Sequence, residues 1–223
     1  MTLLEDVKVR HTVRKYDGRA LNGEVLAQLQ AKIAKINQEG NLHLQLVNGK
    51  EDAFAGFTIH YGRWTGVTNY IALIGKDAPD LDERCGYYGE QIVLWAITQG
   101  LKTGWLDTQY GDVPEGLDIP NGERLVLCIA IGYSQLSGGP HKLKTVEELS
   151  TVEGPMPEWF RKGMECAVLA PSAGNQMLFR LHWDGNALSI TTTPGFLEKV
   201  DLGIAKYHFE LGSGISHEKW SQQ

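Results

Sequence analysis

Ala170-Pro171-Ser172-Ala173-Gly174-Asn175 closes an apolar helical run with a short turn of small and polar residues, a shape able to wrap closely around a flat ligand. The chemistry of such a turn has to be completed elsewhere. At the other end of the chain, Arg10-His11-Thr12-Val13-Arg14 sets two guanidinium groups and a hydroxyl at alternating positions. Together the two segments point to a phosphorylated aromatic ligand.

The 223 residues are enough to bury a full core, as one large domain or as two intimate halves. With 21 basic against 27 acidic residues the formal charge is -6, and no long basic run is present to neutralise a phosphate backbone. Nucleic acid is thereby excluded as an expected partner. Cys85, Cys128 and Cys166 are scattered, odd in number and set mostly in apolar surroundings, so they read as free thiols of a reducing compartment. No apolar stretch reaches the roughly 20 residues needed to span a bilayer, and the charged N-terminus is unlike a signal peptide. The expectation is a cytoplasmic protein with no membrane partner.

Between the two segments the periodicity alternates between helix and strand. Asn22 is an N-cap for a helix with apolar Val25, Leu26, Leu29, Ile33 and Ile36, ending near Gly40. Leu42, Leu44 and Leu46 alternate as a half-buried strand stopped by Asn48-Gly49. Ile71 to Gly75 is continuously apolar and predicts a central strand covered on both faces. Tyr87 to Gly100 predicts a helix buried nearly all round and capped by Gly100, with Leu101-Lys102-Thr103 at its end and Gly104-Trp105 following. Leu125 to Ile131 is another strand, Thr151 to Pro157 reads as a linker, and Glu158 to Leu169 is a helix leading into the Ala-Pro-Ser turn. Phe179 to His182 and Leu188 to Thr192 form a hairpin about Asp184-Gly185-Asn186, and Val200 to Leu211 is a last helix. The order helix, strand, buried helix thus occurs twice, which reads as a degenerate duplication into a first half, 1–150, and a shorter second half, 151–223.

Each constellation also has a plainer reading. Arg10, Thr12 and Arg14 suit a phosphate dianion through charge-assisted hydrogen bonds, yet alone they also describe a solvated basic terminus. Lys142 and Lys144 are ordinary surface lysines unless their loop folds back to supply a second pair of cations. Gly104 permits close backbone approach to a ligand, while Trp105 is read first as core. Phe54, Phe57, Tyr61 and Trp64 either cover a ligand face or form a packed cluster. Ser172 lacks a GxSxG elbow, which argues against hydrolysis. His43, His60, His141, His182, His208 and His217 show no paired ligand spacing, so no metal site is argued. Neither GxGxxG nor GxxxxGK[ST] is present.

Read together, these segments resemble the FMN-dependent nitroreductase family, in particular its duplicated single-chain branch. Arg10-x-Thr12-x-Arg14 is similar to the family's Arg-x-Ser-x-Arg signature, and Tyr87 to Trp105 to its central helix and the Gly-Leu turn after it. Ile131-Gly132-Tyr133 with Lys142-x-Lys144 resembles its phosphate-contacting strand and basic tail. Ala170-Pro171-Ser172-x-x-Asn175 resembles its flavin-binding turn. Two departures stand out. In ordinary members the Ala-Pro-Ser turn comes directly after the first helix, whereas here it lies in the second half, and Asn175-Gln176-Met177-Leu178-Phe179 replaces the usual Asn-x-Gln-Pro-Trp.

The resemblance implies an α+β, nitroreductase-like fold with a central mixed or antiparallel sheet flanked by helices, its two halves forming an internal pseudo-dimer around one FMN. It implies hydride passed from NADH or NADPH through the flavin to a nitroaromatic, quinone or similar small acceptor. The alternative is a flavin-binding or flavin-sequestering protein without turnover. Arg14 is implied as the electrostatic tuner of the reduced ring. Arg10, Thr12, Lys142 and Lys144 are implied on phosphate or ribityl, and Pro171, Ser172 and Asn175 on ring or ribityl, with Asn69, Gly104 and Trp105 beside them. No side chain is assigned as acid or base. A monomer is expected, with a homodimer of such chains left open.

Overall fold

The computed structural model describes residues 7–51, 53–54, 63–107, 113–136, 142–216 and 220. Phe57, Tyr61, His60, His141 and His217 lie outside them. Contacts divide the chain into two compact units that do not follow chain order: Arg10–Leu81 with Gln91–Pro140, and Met1–Val9 with Asp82–Glu90 and His141–Gln223. The halves 1–150 and 151–223 divide the chain by order, so the two descriptions cut it at different places.

The first unit is built on a four-stranded, wholly antiparallel sheet in the order β1 (Gln45–Val47), β2 (Tyr70–Lys76), β4 (Glu123–Gly132), β3 (Lys102–Leu106). β2 is an inner strand, as its unbroken apolar run requires, and every residue of it but Lys76 is buried. Its register against β4 slips once after Leu73, where a bulge leaves Val126 as the extra residue. Helix α1 (Gly23–Gly40) begins after Asn22, buries Leu29, Ile33 and Ile36 on one face, and ends where Asn41 turns left-handed.

Two asparagines then do the work of strand partners. The Asn37 side chain bonds both the N–H and the carbonyl of Leu44, and Asn48 does the same for Leu21. This corrects the longer strand expected from Leu42: Leu42 and Leu44 are buried as the alternation predicts and His43 N–H donates to the Ile74 carbonyl, but the strand itself is Gln45–Val47, while both Leu44 backbone groups go to Asn37.

Helix α2 (Leu81–Thr98) starts six residues before Tyr87, and among its residues only Thr98 is exposed. Gly100 is left-handed (φ 72°), and the amides of Gly100 and Leu101 return to the carbonyls of Ile97 and Ala96. That double bond is the Schellman closure, available to glycine because it carries no Cβ. Leu101 to Thr103 do not prolong the helix end, since Lys102–Leu106 is the edge strand β3, paired with β4.

In the second unit, α3 (Val146–Leu149) opens with a reciprocal capping box between Thr145 and Glu148. It feeds β5 (Ser150–Val152), which pairs parallel with β6 (Phe179–Trp183), itself antiparallel to β7 (Leu188–Thr192). Thr151 to Pro157 is therefore not all linker: three residues with no detectable period still find a ladder partner in β6. The β6–β7 turn is held by Asp184, which accepts the amides of Asn186 and Ala187.

Helices α4 (Glu158–Ala167) and α5 (Glu198–Ser213) complete this unit, with the Asp82–Glu90 part of α2. Glycines set their spacing. A Cβ on Gly86 would stand 2.0 Å from the Val200 carbonyl, one on Gly203 2.0 Å from that of Glu83, and one on Gly212 2.2 Å from that of Lys162. Buried Glu90 and His208 meet at 2.9 Å, Tyr87 donates to Glu210, and Trp159, Phe160, Phe209 and Trp220 stack edge to face. Cys85, Cys128 and Cys166 are buried free thiols, and burial, aided by Glu90, pushes Cys166 up to about 12. Among the described residues no helix is long and apolar enough to cross a membrane.

Substituting Gly86→Ala, or Gly203→Ala, is expected to destabilise the protein by roughly 2–3 kcal/mol, because each Cβ meets backbone that cannot yield without moving a helix. A urea midpoint unchanged in both variants contradicts this packing.

Candidate functional site

Residues 10–16 run extended beside the edge strand β3. Val13 N–H donates to the Thr103 carbonyl at 3.0 Å, Thr12 bridges Thr103 in parallel, and Lys15 bridges Thr65. Buried Val13 and Tyr16 anchor the segment, and the Tyr16 hydroxyl donates to the carbonyls of Val13 and Ala130. Burial raises the Tyr16 pKa, against the pull of Arg14, and keeps the phenol a neutral donor.

Along this anchored segment Arg10 is buried, Thr12 half-buried and Arg14 exposed, with the Arg14 guanidinium 5.7 Å from the centre of the Trp64 ring. The His11 Nδ1 is buried with no hydrogen-bond partner among the described residues. Two guanidinium groups, a hydroxyl and an unsatisfied imidazole nitrogen within five residues suit a phosphate monoester.

The neighbouring residues have structural duties of their own. A Cβ on Gly104 would stand 2.6 Å from the Trp64 ring and 2.7 Å from the Val13 carbonyl, so the close approach at Gly104 is to the protein's own chain. Trp105 is half-buried on β3. Asn69 is buried; its Oδ1 accepts from Gly49 N–H and its Nδ2 donates to the Arg19 carbonyl. Both ends of that amide hold loops together.

The second group of candidates lies in the other unit. After α4 the chain passes through Ala170 and Pro171 into a single 3-10 turn, Ala173–Asn175. Gly174, Asn175 and Met177 are all left-handed, at φ 55°, 57° and 47°. Such a run is costly for the two residues with side chains, and it persists because neighbours fix it. Ser172 Oγ accepts from Met177 N–H, Asn175 Nδ2 donates to the Lys142 carbonyl at 2.6 Å, and Lys144 Nζ donates to the Met177 carbonyl at 2.8 Å.

The structure thus brings Lys142 and Lys144 together with Ser172 and Asn175, and Arg10, Thr12 and Arg14 together with Gly104. Pro171 and Ser172 are half-buried while Gly174 and Asn175 are exposed. Small exposed surface of this kind suits a flat ring, as the chemistry of the arginine segment suits a phosphate.

Asp201, on the first turn of α5, went unnoticed in the sequence. It is 3% exposed, and both its carboxylate oxygens stand 3.0 Å from the Ala173 amide. Burial pushes its pKa up to about 7, against the Ala173 hydrogen bond, while Glu198 adds to the rise. The signal was present, an acid within the apolar run Val200 to Ala205, though no local pattern says what that acid would meet.

Comparison with known proteins places residues 2–213 within the sequence profile described as "Putative TM nitroreductase". A solved structure described as a "putative nitroreductase" from Thermotoga maritima aligns at TM-score 0.63 and 24% identity, covering 95% of this chain and 83% of that one. A structure of an FMN-dependent nitroreductase from Clostridium difficile aligns at TM-score 0.50 and 19% identity over 61% of this chain and 90% of its own. A nitroreductase family protein from Streptococcus pneumoniae aligns at 0.53 and 16%, over 66% and 98%. No curated protein matches the chain. The shared feature is an α+β fold whose antiparallel sheet is flanked by helices.

The raised Asp201 pKa has a definite sign in stability. The folded carboxyl holds its proton up to about pH 7, whereas the unfolded one releases it near pH 4, so its contribution is full below pH 4 and is lost as pH rises through 7. Asp201→Asn is expected to flatten that decline, on the order of 2–4 kcal/mol, in urea midpoints between about pH 5 and pH 8. An unchanged slope in the variant counts against the buried acid.

Proposed function

The chain belongs to the nitroreductase family, and on that premise we propose that it is an oxidoreductase holding one FMN per chain and passing reducing equivalents from NADH or NADPH to a nitroaromatic, quinone or similar small acceptor. The observation carrying this reading is the family match over residues 2–213, a span that contains both the arginine segment and the Ala170–Asn175 turn.

FMN, when bound, supplies the hydride chemistry, and the protein's task is to bind, orient and tune it. Arg10 and Thr12 take the phosphate, with His11 Nδ1 offering a further polar atom on the same segment. Arg14, steadied over Trp64, would lend positive charge to the bound flavin and so favour its reduction. Pro171, Ser172 and Asn175 line the ring or ribityl chain. Lys142 and Lys144 serve the phosphate or ribityl; the Lys144 ammonium has one donor committed to Met177, which leaves two for a ligand. Asn69, with both ends of its amide engaged, shapes the loop beside the site, Trp105 lines it from β3, and Gly104, covered by Trp64, seats the arginine segment against that strand. Protons come from solvent.

Purified protein is expected to carry or take up FMN at one equivalent per chain, and anaerobic NADH or NADPH is expected to bleach the flavin band. Flavin that stays oxidised with both nucleotides identifies a sequestering protein instead, and failure to bind FMN removes the proposal. Two variants divide the roles. Thr12→Val is expected to weaken FMN about fivefold while leaving riboflavin unchanged, the loss of one phosphate hydrogen bond. Arg14→Gln is expected to lower the two-electron midpoint potential by about 30 mV, and a potential that does not move removes Arg14 from the tuning role.

A further inference from the structure

Building on the flavin reading of the Ala170–Asn175 turn, we propose that Asp201 is the positioning residue of that turn, fastening the Ala173 amide so that Pro171, Ser172 and Asn175 are held in the geometry that meets FMN. Asp201 shares a face of α5 with buried Ile204, Ala205 and His208, and its chain neighbours Val200 and Leu202 are buried too, a setting in which a carboxylate is costly. Among the described residues its side-chain hydrogen bonds go to one group, the Ala173 amide, which both oxygens approach at 3.0 Å. A buried acid whose hydrogen bonds are spent on one amide of a strained turn fixes that turn.

The rest of the turn is held from within and from the 142–144 segment. Ser172 Oγ and Gln176 Nε2 bond within the turn itself, while Asn175 and Lys144 tie it to the 142–144 segment. Asp201 brings a bond from a long helix, one that becomes charge-assisted once the acid is ionised. That helix is seated by backbone contacts at Gly86 and Gly203, so its carboxylate is held in place. Gly174, next to Ala173, is where the left-handed stretch begins.

The titratable groups around this part of α5 do not compete for the same amide. Glu198 lies on its own helix and acts through charge. From α2 come Glu83, paired with Lys206, Tyr87, donating to Glu210, Glu90, meeting His208, and Arg84. The turn, Ala173-Gly174-Asn175, contributes no charged side chain. Ionised Asp201 is the stronger acceptor, so the turn is held more firmly as pH rises through neutrality.

The test uses the full chain and Asp201→Asn, with two readouts. In apo protein, the Ala173 amide resonance is expected to titrate with a midpoint near pH 7, and the variant is expected to lose that titration. FMN binding is expected to weaken about fivefold from about pH 8 to pH 6 in the wild type. In Asp201→Asn only the pH dependence belonging to the FMN phosphate is expected to remain. Fold stability moves the opposite way over the same interval, so a residue serving the fold alone would not tighten FMN binding at the higher pH. Identical pH profiles of FMN affinity in wild type and a folded variant overturn the proposal, as does an Ala173 amide that stays fixed between pH 6 and pH 8. Wild-type protein that binds no FMN at either pH overturns the flavin reading and the ligand named here with it. The Ala173 titration, needing no flavin, separates that failure from an error about Asp201.

Discussion

Backbone touching backbone is the constraint from which the α4, α5 and Asp82–Glu90 unit takes its form. Gly86 and Gly203 lie reciprocally against the carbonyls of Val200 and Glu83, and Gly212 against that of Lys162. Side chains of any size at these positions would hold the helices apart. The close approach lets Lys206 reach Glu83 and buried His208 reach Glu90, and the second pair needs its partners at fixed distance because neither member can turn to water. It also fixes the start of α5, and therefore the point where Asp201 meets the Ala173 amide.

The two groups of candidate residues are built on different physical principles. Arg10, Thr12 and Arg14 sit on a segment pinned by burial of Val13 and Tyr16 and by one amide bond to the edge strand β3, so Arg14 is presented from a well-packed base that also encloses Arg10. The Ala170–Asn175 turn has little core of its own. It is over-determined by hydrogen bonds from Asp201, Lys144 and its own Ser172, which hold left-handed residues that free chain would abandon. Charge display tolerates small shifts, whereas fit against a flat ring does not, and the denser bonding of the turn agrees with that difference.

Much of the architecture was legible because it rests on local patterns. The unbroken apolar run of Tyr70 to Gly75 could only be an inner strand, Gly100 could supply the left-handed closure of α2, and Asp184-Gly185-Asn186 carried the chemistry of a hairpin turn. The misreadings occur where a tertiary partner outweighs local pattern. Leu42 to Leu46 alternates like a strand, yet only Gln45 to Val47 pairs in register with β2, and the Leu44 backbone is bonded by Asn37. Lys102 and Thr103 follow a helix and look like its tail, yet β4 recruits them. Ser150 to Val152 is too short and polar to show a period, and only β6 makes it a strand.

The sequence by itself determined the residue types able to grip a phosphate and to lie against an aromatic ring, and it determined most helices and strands, because hydrophobic period and turn chemistry are properties of neighbouring residues. The tertiary structure alone decided which groups were already engaged: the Asn69 amide between two loops, the Lys144 ammonium on Met177, Gly104 beneath Trp64, and Asp201 on a turn 28 residues away. Hydrogen bonds and close contacts between distant residues leave no periodic trace, since they depend on where the folded backbone brings each partner and not on the order in which the partners are joined.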